Sequence, residues 1–438
     1  MKKIISIIAF CVGYGFATAQ TYSLEQLKQL ATDHNYDLRS ARNAIQQSKQ
    51  TKSEALTMFF PQISASGLGF QNNKPVIDID LSLPDYIAPY IPASLELPSS
   101  ITFMKKGIYG SISAIQPVFM GGQIINGNKL AKVGVEASEL KMELSQEQVE
   151  QTTEGYYWQV VSMKEKLNTL AAIHDMLEQL EKDVNNMVRV GAVNRNDLLQ
   201  VQLRKGEVET ATLEVENMLT TIRQLLAQHV GKAGETIDVT MPADFTMGKV
   251  PVMPVALRQD HQAALSATPE YRLLEKNVES QRLQHAMAVG QNLPSVGVGA
   301  SYSYNDWFSK NTNAMIFVYV HVPISDWWGG AHNIKKKSLA LDDAREQLQD
   351  NSQKLVIRMN NAWSAVETSH KKLQIAHDAI EQADENLRIH RDYYRVGTTK
   401  MTDLLIAQEQ YQQARDRYTD AYASFQTKIL EYRQATGQ

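Results

Sequence analysis

The sequence predicts a mainly α-helical chain with a small β part, built as an internal structural repeat. Three observations carry that reading. The 13 prolines are unevenly placed, and none lies between 118 and 241 or between 324 and 438. Proline breaks helix interiors, so both stretches are free to form very long helices. Second, the two halves repeat each other at an offset of 206. Arg189-Val190-Gly191 and Asp197-Leu198-Leu199 match Arg395-Val396-Gly397 and Asp403-Leu404-Leu405. Gln202 and Gln408, Gly231 and Gly437, and Pro117 and Pro323 keep the same offset. One register held over so many positions is the mark of duplication. Third, residues 295–304 and 314–322 alternate with a period of two, as strands do.

Composition narrows the function. A hydrophobic share of 43% excludes wholesale disorder, and a net charge of −4 excludes a strongly basic nucleic-acid binder. One cysteine excludes a disulfide framework and a thiolate zinc site.

The elements follow in chain order. Residues 1–19 read as a signal peptide, with Lys2 and Lys3, an apolar run from Ile4 to Phe16, and Ala17-Thr18-Ala19 before Gln20. Cys11 lies inside that run without a small-residue context, so a lipid anchor there is not expected. Taking Lys2 and Lys3 from the 44 basic residues leaves 42 against 48 acidic ones, a net of −6. No later segment has 18 consecutive apolar residues, which leaves a β-barrel as the route into a membrane.

The first repeat spans 20–231, with a helix at 22–58, strands near 61–70 and 107–118, and long helices at 121–190 and 195–230. A linker covers 232–255. The second repeat spans 256–438, with a helix at 256–291, strands near 295–304 and 314–323, and helices at 330–396 and 401–436. Apolar residues in these helices recur at three- and four-residue steps, as in Leu373, Ala376, Ile380 and Leu387. Upstream the repeat offset becomes 233 (Arg39 to Arg272, Pro61 to Pro294), which places an insertion at about 71–105. Pro75, Pro84, Pro89, Pro92 and Pro98 make it read as a long loop. Phe59-Phe60, Phe119, Trp307-Phe308 and Trp327-Trp328 mark strand ends, like the aromatic girdles of membrane barrels.

Residues 121–190 would span roughly 105 Å as one helix, a reach that suits an aqueous gap. Four strands cannot close a barrel. Three chains supply twelve, with room for a channel, and their helices would continue it as a hollow tube. Gly191 and Gly397 fit the left-handed residue that ends a helix. Asn196 and Thr402 are expected to cap the next helices, with Asp197 and Asp403 in their first turns. Three tip carboxylates around an axis would repel each other and attract cations.

The whole pattern resembles the TolC family of outer-membrane efflux proteins. The resemblance covers residues 22–437. It rests on the duplicated plan, on Pro61 and Pro294 leading into the strands, and on Pro117 through Gly121-Gly122 and Pro323 through Gly329-Gly330 leading out. The two Val-Gly-x5-Asp-Leu-Leu tips complete it. The resemblance implies a homotrimer with a twelve-stranded outer-membrane barrel and a periplasmic α-helical barrel, with no cofactor. It implies a passive, gated exit duct for efflux or type I secretion. A periplasmic adaptor and an inner-membrane pump of RND, ABC or MFS type would be its partners, along with outer-membrane lipid.

It also implies roles at the tips. Asp403 corresponds to the family's aperture aspartate, Tyr394 to its tip tyrosine, and Asp197 to that tyrosine's partner. Thr399 replaces an inter-subunit arginine and Asn196 its threonine partner, with Lys400 adjacent. Ile406 stands where a second aspartate ring would be. Arg189, Val190, Gly191, Arg395, Val396 and Gly397 form the tip turns expected to meet the adaptor.

Other signals are weaker. Glu367, His370 and His377 have helical spacing for a metal site, but lack matching ligands on a facing helix; a solvated helix face is expected. Tyr156-Tyr157-Trp158 read as packing. No nucleophile motif or phosphate loop points to an enzyme. A periplasmic adaptor or coiled-coil scaffold is the alternative, though it needs one helical hairpin rather than two helix pairs.

Overall fold

A computed structural model describes residues 20–81, 100–243, 245–306 and 310–438. Residues 1–19, read above as a signal peptide, and Pro84, Pro89, Pro92, Pro98 and Trp307-Phe308 lie outside them. The chain divides into two compact units: residues 1–45, 138–273 and 349–438, and residues 46–137 and 274–348.

The elements are β1 (Gln20–Tyr22), α1 (Leu24–His34), α2 (Tyr36–Thr57), β2 (Gln62–Gln71), β3 (Ile77–Asp80), β4 (Ser100–Phe103) and β5 (Lys106–Met120). Then come α3 (Gln123–Arg189), α4 (Arg195–His229), β6 (Ile237–Val239), α5 (His261–Ala264) and α6 (Pro269–Gln291). β7 (Ser295–Asn305), β8 (Asn311–His321), α7 (Asp326–Arg395) and α8 (Met401–Ala435) complete the chain. The longest helices hold 67 and 70 residues, each about 100 Å at 1.5 Å per residue. Among the described residues, no helix is long and apolar enough to cross a membrane.

Three differences from the sequence reading have local causes. The helix expected at 22–58 breaks at Asn35, which leaves helical geometry at ψ 138°. Its Oδ1 accepts from the Asp37 and Leu38 amides at 2.8 and 3.4 Å, and so caps α2. The helix expected at 256–291 starts as short turns, because Pro269 holds Thr268 extended at ψ 136°. The 71–105 insertion, expected to be a loop, contains an antiparallel ribbon in which Ile77 pairs with Phe103 and Asp80 with Ser100.

In the second unit the main sheet is antiparallel, in the order β2-β5-β7-β8. Its two faces differ. Ile63, Ile112, Val298, Tyr302, Ile316 and Val318 stand on one face and are exposed. On the other face Ser64 meets Ser113 at 3.0 Å and Ser66 meets Ser111 at 2.9 Å, with Ser301 and Ser303 next in register. Among the described residues, β2 and β8 are the edges of this sheet.

In the first unit, Trp158, Trp363, Tyr418, Tyr422, Phe425 and Tyr432 form an aromatic core. Trp158 meets Tyr422 at 5.6 Å and Trp363 meets Tyr432 at 4.9 Å. The phenol groups hold the connecting segment to α8. Tyr418 Oη donates to the Lys249 carbonyl at 2.7 Å, and Tyr432 Oη accepts from the Gln259 amide at 3.0 Å. A second core, with Ile173, Leu177, Val201, Leu387, Met401 and Leu404, fills the tip bundle.

Candidate functional site at the helix tips

Both tips turn by the same backbone device. The Ala192 amide donates to the Met187 carbonyl at 2.9 Å, and the Thr398 amide to the Tyr393 carbonyl at 2.9 Å. These wrap around Gly191 at φ 73° and Gly397 at φ 76°, values that disfavour a side chain. Arg189, Val190, Arg395 and Val396 are exposed around the turns.

The caps lie two residues earlier than expected. Asn194, not Asn196, caps α4, its side chain accepting from the Asn196 amide at 3.3 Å. Lys400, not Thr402, occupies the cap of α8 and supplies no side-chain acceptor. Asp197 and Asp403 are therefore the third helical residues, in the first turn, where the helix dipole favours negative charge. Thr399 Oγ1 donates to Asp403 Oδ2 at 3.2 Å, so Thr399 positions that carboxylate.

Among these tip residues, Tyr394 and Asp197 make the one side-chain contact that joins the two repeats. Tyr394 Oη donates to Asp197 Oδ2 at 3.4 Å from a ring that is only 8% exposed. Burial, reinforced by the Asp197 charge, pushes the phenol up to about 12. It therefore stays a donor at neutral pH. Asn196, Thr402 and Ile406 face solvent.

Sequence reasoning missed the ties one to two turns above. Arg204 on α4 donates from Nε to Gln408 Oε1 at 3.2 Å and from Nη2 to Gln412 Oε1 at 3.1 Å, both on α8. Gln202 and Lys205 reach Glu181 on α3 at 2.9 and 3.2 Å, and together hold its carboxyl below the usual range. Beside these ties a cleft of about 500 Å³ is lined by Met176, Leu180, Tyr394, Leu404 and Gln408.

The histidine reading needs correction. His370 is not on a solvated face: its Nε2 meets the Pro251 carbonyl at 2.9 Å and its ring packs on Phe425. Glu367 accepts from Trp363 Nε1 at 2.7 Å. A different group, His174, Asp175 and Glu178, brings three ligand atoms within 4.8 Å, but Glu178 is paired with Lys182 at 2.8 Å. Elsewhere in this unit, a cavity of about 490 Å³ gathers Glu147, Glu270, Glu431 and Arg358. Burial, then the Glu270 charge, pushes the Glu147 carboxyl up to about 7.

Comparison with known proteins accords with this plan. The family model for the outer membrane efflux protein matches residues 261–438. No curated protein matches the chain. By structure the chain is similar to the outer membrane protein VceC of Vibrio cholerae, at 14% identity over 94% of this chain and 96% of that one, with a TM-score of 0.75. It is also similar to the CmeC outer membrane channel of Campylobacter jejuni, at 17% identity, 94% and 85% coverage and a TM-score of 0.74. The open state of the MtrE outer membrane channel of Neisseria gonorrhoeae gives 16% identity, 94% and 88% coverage and a TM-score of 0.73. An adaptor, with one helical hairpin between β-rich domains, does not have this plan. Residues 261–438 match the model of the outer membrane efflux protein family, and the chain as a whole has the fold seen in solved outer-membrane channels.

Proposed function

We propose that the chain is the outer-membrane exit duct of a tripartite efflux or type I secretion system. The two-faced sheet carries the reading. Its apolar face is exposed and its other face carries a ladder of paired serines, as a wall between lipid and a wet lumen requires. Strands of 10 to 15 residues are long enough to cross a bilayer at a tilt. The edge strands β2 and β8 would close between chains, and three chains supply a twelve-stranded barrel. The long helices then form the periplasmic conduit.

The duct performs no catalysis; an inner-membrane pump drives export through a periplasmic adaptor. Asp403, Asp197, Tyr394, Asn196, Thr399 and Lys400 form the gate. The tip turns at Arg189-Val190-Gly191 and Arg395-Val396-Gly397 meet the adaptor. The test is fractionation with planar-bilayer recording. Outer-membrane trimers that dissociate on heating and conduct ions support the duct. Soluble or inner-membrane material without conductance overturns it.

A further inference from the structure

The helices of the second unit carry a charge pattern that the duct alone does not need. Four helix ends meet the strands there: the C-termini of α2 and α6 and the N-termini of α3 and α7. Exposed aromatics mark the junctions, Phe59 and Phe60 before β2, Phe119 at the end of β5, and Trp328 in the first turn of α7. Within about three turns of these junctions stand Lys49, Lys52, Lys129, Lys335 and Lys336, all exposed. Arg282 stands at the same depth on α6. The only carboxylates in those turns are Glu54 and Asp326. The surplus is positive, although the chain as a whole is negative, with 44 basic against 48 acidic residues.

These cations are uncommitted. Among the described residues, no carboxylate pairs with Lys49, Lys52, Lys129, Lys335 or Lys336. Their neighbours Lys132 and Lys337 are held instead, by Glu136 at 3.7 Å and by Gln284 at 2.8 Å. At about 1.5 Å per residue, Lys52 and Lys129 lie about 8 to 9 Å along their helices from the strand junctions, and Lys335 about 14 Å. An aromatic girdle sits at headgroup level, and lysine side chains snorkel back toward it. The ammonium groups therefore reach the phosphate layer on the helix side of the sheet.

We propose that this collar binds anionic phospholipid headgroups of the periplasmic leaflet. The assignment rests on the exit-duct reading, which puts the sheet in the outer membrane. The occupant follows from charge complementarity: unpaired ammonium groups on three helices beside exposed aromatic rings match a phosphate-rich, net-negative surface. A zwitterionic headgroup offers the same phosphate but cancels the field.

The test uses the full mature chain in phosphatidylcholine vesicles containing either brominated phosphatidylglycerol or brominated phosphatidylcholine, read by quenching of its tryptophan fluorescence. Phosphatidylglycerol is expected to be favoured several-fold to about tenfold, and the preference to vanish at ~1 M salt, where the screening length falls to about 3 Å. The combined variant Lys52→Gln, Lys129→Gln, Lys335→Gln and Lys336→Gln should insert normally and lose the preference. Equal quenching by both lipids in an inserted chain overturns the collar and leaves the duct standing. A preference unchanged in the variant also overturns it. Failure of either lipid to quench, with no insertion, overturns the duct reading and the collar with it.

Discussion

The Tyr394 hydroxyl lies 3.4 Å from Asp197 Oδ2, joining the last turn of α7 to the first turn of α4 and so one repeat to the other. The ring is buried among apolar tip residues, and only its hydroxyl is spent on this contact. Tyr394→Phe keeps the packing and removes the tie. The expected stability loss is about 0.5–1.5 kcal/mol, the net worth of one hydrogen bond. In the duct the variant should conduct more than the parent in planar bilayers. A variant of unchanged conductance would leave Tyr394 as packing alone.

Asp403 has a different environment. Its carboxylate accepts from Thr399 and stands in the first turn of α8, where the cap itself supplies no acceptor. Around a threefold axis it would present three negative charges to the lumen. Asp403→Ala is expected to raise single-channel conductance and weaken block by divalent cations. Helix stability should drop by only about 0.3–1 kcal/mol, the value of a charge at a helix N-terminus. Block that persists unaltered in the variant removes Asp403 from the aperture.

The long helices and the strands were legible because their signals are physical and repeated. Proline is absent where α3, α4, α7 and α8 run, and β7 alternates residue by residue. The break at Asn35 was hidden because a single asparagine sits in otherwise helical composition. The caps were misplaced by two residues because Asn194 and Lys400 obey the same repeat as Asn196 and Thr402, and lysine is no usual cap. The ties from Arg204 to Gln408 and Gln412 were illegible. They join helices about 200 residues apart in sequence, and such residue types ordinarily read as a solvated face. His370 misled for the converse reason: its partner is a backbone carbonyl at Pro251, which no side-chain motif announces.

Glu147 makes stability depend on pH. Its folded pKa, about 7, lies above the ordinary value of 4.5, because burial and the Glu270 and Glu143 charges outweigh the nearby Arg358. A raised folded pKa means the folded state holds a proton that the unfolded state has lost. This contribution is therefore fully present below about pH 4.5 and is lost as pH rises to 7. Asp416, pushed up to about 6 by burial and Asp420, acts in the same direction between its ordinary 3.8 and 6. Glu147→Gln should raise the melting temperature at pH 8 and leave it nearly unchanged at pH 4. Thermal melts followed by circular dichroism decide. An equal shift at both pH values would show that the carboxyl is not the source.

Gly297 and Gly299 in β7 lie under the rings of their cross-strand partners in β8, Tyr319 and Phe317. A Cβ at Gly299 would occupy the space of the Phe317 ring, and a Cβ at Gly297 that of Tyr319. Small residues here let large rings lie flat on the sheet, so added volume must displace a ring rather than fill a void. Gly299→Ala is expected to destabilise the sheet by about 1–3 kcal/mol, the usual cost of overpacking. The readout is the temperature at which the folded form shifts to unfolded mobility on a gel, which should fall in the variant. Phe317→Leu should restore part of the loss in the Gly299→Ala background, because the obstructing ring is gone. The two substitutions share one contact and so must be non-additive. Strictly additive losses would mean that Phe317 does not rest on Gly299.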